Sequence, residues 1–298
     1  MKSAVSSYIG RMTAASAGDD DAHRVDSTTE RITVDEYQST EGDYLIYVLH
    51  SATYDFALPY VAGKEVLDFG CGTGYGTARL AEPALRTTGV DIAPEAVAHA
   101  REHYRRDDLT FETIGSIDTT DLPFDDDAFD VVVSFQVIEH VVAVDRYLAE
   151  IRRVLRPGGT FLCVTPDRTL RLFPGQRPWN EFHVTEYAPG DVADLLRTRF
   201  AHVETFGMTA APEILRAELR RYRRTRLLTY PVTFPGIPDA LRLAGVRAVK
   251  RLIGGRSAGT TRPTQRREFG FGPADVVVAR DARPSVNVVA VARPSTTA

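Results

Sequence analysis

Cysteine and lysine are both scarce in this chain. Two cysteines, Cys71 and Cys163, stand among 298 residues. That is too few for a disulfide framework, and a reduced, cytoplasmic setting is the expectation. Lys2, Lys64 and Lys250 are the only lysines, so the cations are almost all arginine. No stretch of 18 apolar residues is present to span a membrane. The opening "MKSAVSSYIGRMTAASAGDDDAHR" lacks the continuous apolar core of a secretory signal. There is no internal repeat, and the phosphate-cradling pattern G-x-x-x-x-G-K-S/T is missing.

What is present is a patterned α/β chain. Residues 1–40 are small, polar and acidic and read as a mobile tail. Residues 41–61 place Leu45, Val48, Leu49, Ala52 and Phe56 at helical spacing. Strand-like and helix-like runs then alternate: "EVLDF", "RTTGVDI", "LTFETIG", "FDVVVSF" and "TFLCVTP" as strands, with helices between them. The almost wholly apolar "FDVVVSF" is what a strand covered on both faces requires. The run "VDRYLAEIRRVLRPGG" reads as a helix with Tyr147, Leu148, Ile151 and Leu155 inward, ended by Pro157-Gly158-Gly159. Such alternation predicts a central, mostly parallel sheet with helices on both faces. The expected organisation is a core over 41–210, a basic helical insert or lid over 211–284, and a final core strand and tail over 285–298.

Charge is unevenly distributed. The chain carries a net −4, yet residues 211–268 hold 14 Arg or Lys against four Asp or Glu. An anionic ligand or a peripheral membrane surface suits such a block, and a solvated helical face is the plainer reading. Its helix "PEILRAELRRYRRTRLL" should break at Pro231, Pro235 and Pro238 and resume at "DALRLAGVRAVKRLI".

The most informative stretch is "VLDFGCGTGYGT", in which Gly70, Gly72, Gly74 and Gly76 recur at every second position after a strand. A glycine turn between a first strand and a first helix brings backbone N–H groups against a cofactor. The dinucleotide pattern G-x-G-x-x-G is not met, because Tyr75 stands where its third glycine belongs. Asp91 follows Gly70 by 21 residues at the end of the second strand, where an acid accepts from ribose hydroxyls in either cofactor class.

These residues resemble the class I S-adenosylmethionine-dependent methyltransferases. "VLDFGCGTGYG", "GVDIAPEAV", "GSIDTTDLPFDDDAFDVVVSFQVIEHV" and "LRPGGTFLCVTPD" are similar to that family's motifs in order and spacing. The resemblance implies a Rossmann-like seven-stranded sheet whose last strand, "VNVVAVARP", is inserted antiparallel. It implies S-adenosyl-L-methionine as cofactor, held by Asp68, Phe69, Gly70, Cys71, Gly72, Gly74, Asp91, Ile92, Ser116, Ile117 and Gln136. In that scheme Asp68 takes the ammonium group, directly or through water, and Asp91 takes the ribose. Ser116 and Ile117 flank the adenine, with Asp118 a substitute for the acid usual at position 116, and Gln136 faces the methionine end.

Transfer to a hydroxyl also needs a base. His140, in "FQVIEHV", and His183, in "RPWNEFHVTEY", are the two candidates, each with a purely structural alternative. Quinone-type relatives carry an E-x-x-E-H metal cluster; here Gln136 replaces its first acid, and no metal is assigned. The expected acceptor is a small molecule: a sugar, a secondary metabolite, a glycolipid or a quinone. Nucleic acid is disfavoured because "SFQV" stands where nucleic-acid amino-methyltransferases carry Asn/Asp-Pro-Pro-aromatic. An NAD-dependent oxidoreductase and a non-catalytic cofactor-binding module are the alternatives.

Overall fold

The computed structural model describes residues 41–254 and 269–295, so the expected tail over 1–40 lies outside the described residues. The described chain opens with helix α1 (Glu41–Val61), followed by β1 (Glu65–Phe69) and α2 (Tyr75–Leu80). Next come β2 (Arg86–Asp91), α3 (Pro94–His103), β3 (Leu109–Thr113) and β4 (Phe129–Phe135). A 3₁₀ turn (Ile138–His140) leads to α4 (Val144–Val154), β5 (Leu155–Pro166) and the short α5 (Arg168–Arg171). Then follow α6 (Pro189–Arg197), β6 (His202–Ala210), α7 (Pro212–Thr233), α8 (Asp239–Gly254), β7 (Val276–Ala279) and β8 (Asn287–Arg293).

The strands form one sheet in the order β3-β2-β1-β4-β5-β8-β6-β7. β1 to β5 pair in parallel, whereas β8 runs antiparallel between β5 and β6. The final strand is therefore inserted as the sequence led us to expect. The count differs, because β7 adds an eighth strand antiparallel to β6 at the edge. Residues 276–279 fall in the stretch expected to be a helical insert; "VVVA" is β-branched and pairs with Gly207–Ala210 instead.

Alternation along the strands divides the core in two. Leu67, Val132, Phe161, Cys163 and Ala290 face a layer that holds Leu148, Ile151 and Val154 of α4 and Val192 and Leu196 of α6. Val66, Val131, Val133, Leu162 and Val289 face the other layer, against Leu49, Ala57 and Val61 of α1 and Tyr222 of α7. Each fully buried aliphatic side chain contributes roughly 1.5–3 kcal/mol relative to exposure.

Two element ends differ from expectation. α4 stops at Val154, and Leu155 already pairs with Phe129 across the sheet. Pro157 drives Arg156 out of the helical region, which sets an outer limit on the helix just beyond this point. By contrast α7 continues through Pro231 to Thr233. The Thr233 hydroxyl donates back to the Thr229 carbonyl and accepts from the Gln176 amide, which holds the last turn in place.

Candidate active site

Reversal of strand order between β1 and β4 opens a crevice at the carboxyl ends of the strands, where open α/β sheets bind ligands. Here a cavity of about 730 Å³ occupies that edge. Its walls come from the turns after β1 to β4, the end of β5 (Pro166), the start of β8 (Asn287), and helices α1, α7 and α8. Phe69, Gly70, Cys71, Gly72, Asp91, Ile92, Ser116, Ile117, Gln136, His140 and His183 all line it.

Asp68 and Gly74 do not line it. Asp68 is completely buried beneath the loop, where its Oδ2 accepts from the Thr77 hydroxyl at 2.7 Å and the Tyr54 hydroxyl at 3.4 Å. Burial pushes its carboxyl up to about 7, although both hydroxyls pull the other way. A side chain so enclosed anchors the loop from behind, through Thr77 and Tyr54. Gly74 caps α2 with φ at 85°, and a Cβ there would press on Ala100 and Phe111. Its glycine serves helix packing. Gly72, at φ 54°, is the position where a Cβ would meet nothing, and it lines the cavity.

Asp91 ends β2 and ties the loop together. Its Oδ2 accepts from the Gly72 N–H at 3.0 Å and its Oδ1 from the Ala93 N–H at 2.9 Å. Asp118 is similarly committed on one oxygen, which accepts from the Val142 and Ala143 N–H groups and fastens the turn after β3 to the start of α4. Gln136 follows β4 in the left-handed region, φ 58°, a conformation that non-glycine residues rarely adopt outside constrained functional turns.

Across the cavity the two candidate histidines meet, with ring centroids 4.8 Å apart and nearly perpendicular. His140 donates from Nδ1 to the Phe182 carbonyl at 2.9 Å. His183 donates from Nδ1 to Glu186 Oε1 at 2.8 Å. Glu186 in turn accepts two bonds from Arg171, at 2.9 and 3.0 Å, and all three of these residues are buried. Burial works against the Glu186 charge, but the Arg171 guanidinium and the hydrogen bond from His183 outweigh it and hold the carboxyl at about 2. The guanidinium lies over the rings of Trp179, at 4.3 Å, and Tyr222, at 5.1 Å.

Glu186 and Arg171 are absent from the sequence reading. The spacing His183-x-x-Glu186 within one loop offered a signal for the first; nothing local marks Arg171, 15 residues away from its partner. Among the described residues, Glu139, His140 and His183 also bring ligand atoms within 4.8 Å of one another, a set able to hold a metal ion. Glu139 Oε2 accepts from the Thr165 hydroxyl, while its buried Oε1 has no hydrogen-bond partner.

The basic segment supplies the remaining wall. Glu218, Arg221 and Tyr222 of α7 and Lys250 of α8 line the cavity. Arg221 is paired with Glu218, and Arg226 donates to the Leu170 carbonyl over the Phe173 ring. The arginine cluster thus divides between inward and outward roles, as one helix must divide it.

Comparison with known proteins agrees with this geometry. Residues 67–163 match the family described as "Methyltransferase domain". A "Probable S-adenosylmethionine-dependent methyltransferase" of Mycolicibacterium smegmatis is 40% identical over 156 residues, covering 52% of this chain and 58% of the relative. The ubiquinone biosynthesis O-methyltransferase of Cereibacter sphaeroides is 30% identical over 155 residues, covering 47% and 60%. The chain thus spans less than two thirds of the length of these curated relatives. Among solved structures, the cyclase SpnF superposes with a TM-score of 0.50 at 19% identity, covering 82% of this chain and 81% of that one, which shows a shared fold alone.

Proposed function

We propose that this chain, which carries a class I S-adenosylmethionine-dependent methyltransferase domain, methylates a hydroxyl of a small-molecule acceptor with His183 as general base. The observation that carries this reading is the buried series Arg171–Glu186–His183, which ends in the same cavity as the glycine loop.

The residues present fit the cofactor of that family. The Cβ position of Gly72 is open towards the cavity, and Asp91 stands beside it at the end of β2. When bound, the cofactor supplies an electrophilic methyl group on a sulfonium sulfur. The chain's task is then to orient the acceptor and remove its proton. Because Nδ1 of His183 carries the hydrogen that Glu186 accepts, Nε2 carries the lone pair that takes the hydroxyl proton. Glu186, ionised down to about pH 2, stabilises the imidazolium that results. A base so placed is worth ~10²–10⁴ in rate.

Tyr54, Phe135, Trp179, Phe182 and Tyr222 give the cavity an aromatic wall suited to a ring-bearing acceptor, and one relative is named a ubiquinone biosynthesis O-methyltransferase. Titration with S-adenosylhomocysteine and NAD tests the cofactor, and a screen of sugars, phenols and quinols for methyl incorporation tests the acceptor. Binding of NAD alone, or cofactor binding without turnover on any hydroxylated acceptor, would overturn the reading.

A second reading is favoured by the unpartnered Glu139 Oε1: Glu139, His140 and His183 would hold a divalent cation, which would supply Lewis acidity to the acceptor hydroxyl in place of a base. Titration with Co²⁺, followed by its visible spectrum, separates the two. Binding that is lost in Glu139→Gln, with activity abolished by chelation, selects the metal.

A further inference from the structure

The outward faces of α7 and α8 are not used by the cavity, and they combine two features that soluble surfaces seldom bring together. The first is apolar exposure along the two helices and the turn that joins them. Leu227 is 51% exposed, Phe234 52%, Leu241 64% and Leu252 85%, with Leu228 and Tyr230 beside them. On α8, Leu241, Ala244, Ala248 and Leu252 recur at three- and four-residue spacing, so they form one exposed stripe. The second feature is charge. Between residues 211 and 254 there are ten Arg or Lys against three Asp or Glu. Of the three acids, Glu218 is buried against Arg221 and Asp239 is held by Arg177 and Arg242. Arg220, Arg223, Arg224 and Arg251 are exposed and have no ion-pair partner among the described residues.

We propose that the α7–α8 hairpin docks on an anionic lipid surface. Arginines beside exposed leucines and a phenylalanine suit an interface in which apolar side chains enter the acyl boundary while guanidinium groups meet the headgroups. The rest of the chain is acidic overall, since the whole carries −4 despite this block. A negative surface therefore attracts the hairpin and repels the remainder, which sets the orientation. Docking is peripheral, because no helix among the described residues is long and apolar enough to cross a membrane. A nucleic acid would use the arginines but not the aliphatic stripe, since leucine offers no flat face for a base to stack on. Arg221, Tyr222 and Lys250 of the same two helices line the cavity, so docking leaves the helices between the bilayer and the cavity interior. The proposal does not depend on methyl transfer.

Co-flotation of the full chain with phosphatidylcholine vesicles, with and without phosphatidylglycerol, tests it. Binding is expected only when phosphatidylglycerol is present, and it should weaken as salt is raised. Reversing Arg220, Arg223 and Arg224 to Glu should lower partitioning by roughly a hundredfold or more. Replacing Leu227, Leu228 and Phe234 by Ser should lower it by about tenfold or more at unchanged charge. Titration with S-adenosylhomocysteine, unchanged in both variants, establishes that they are folded. No binding to either vesicle overturns the proposal. So does equal binding by the Ser variant, or capture of RNA by the arginines with no flotation.

Discussion

The ring of Tyr54 occupies the space where a Cβ on Gly76 would stand, and its hydroxyl continues to Asp68 beneath the glycine loop. Helix α1 is thereby locked onto the turn that faces the cavity. Gly76→Ala is expected to displace the ring and cost ~1–3 kcal/mol, as overpacking does. Chemical denaturation measures this, and an unchanged midpoint would show that the contact yields freely. Affinity for S-adenosylhomocysteine should fall in the same variant, because the loop loses its anchor.

Asp68 makes stability depend on pH in an unusual direction for a carboxylate. Its folded value of about 7 lies above the ordinary value near 4. Between those values the folded chain holds a proton that the unfolded chain has released. The contribution is complete below about pH 4 and is lost as pH rises through about 7. Asp68→Asn keeps an acceptor for Thr77 and Tyr54 but cannot ionise. Its thermal midpoint should therefore fall less than that of the native chain between about pH 5 and about pH 8. Parallel curves would remove Asp68 from the account.

Glu186→Gln strips the charge partner from a buried guanidinium. The expected cost is ~3–5 kcal/mol, the usual effect of breaking a buried pair at one end. His183→Gln leaves the Arg171–Glu186 pair in place and should lower kcat by ~10²–10⁴, with cofactor affinity unchanged. Equal turnover by His183→Gln and the native chain would exclude it as the base.

Asp91→Ala removes acceptors from the N–H groups of Gly72 and Ala93 together. Hydrogen bonds to a charged group contribute ~1.5–3 kcal/mol each. The variant should lose both loop stability and measurable binding of S-adenosylhomocysteine by calorimetry, whereas Asp91→Asn should retain part of each. Native affinity in Asp91→Ala would reduce the residue to a loop tie.

Much of this molecule was legible from local pattern. The short apolar runs located β1 to β5, and Pro94 and Pro189 stand at the starts of α3 and α6. The glycine loop, Asp91 and both histidines were visible as types at suggestive places. These signals survive in one dimension because backbone sterics and side-chain alternation act over a few residues.

What the glycines, acids and arginines do was decided only in three dimensions. Gly72 and Gly74 are alike in sequence and left-handed alike, yet one borders the cavity and the other admits Phe111 of a neighbouring strand. Asp68 and Asp91 both follow apolar residues, and depth alone makes one a buried anchor and the other a wall of the site. Arg171 found Glu186, and α7 ran on through Pro231 because Gln176 met Thr233 across 57 residues. Local sequence specifies which backbone shapes are cheap. Which side chain faces a ligand, and which buried charge finds its counterpart, depends on contacts between segments that the chain brings together only on folding.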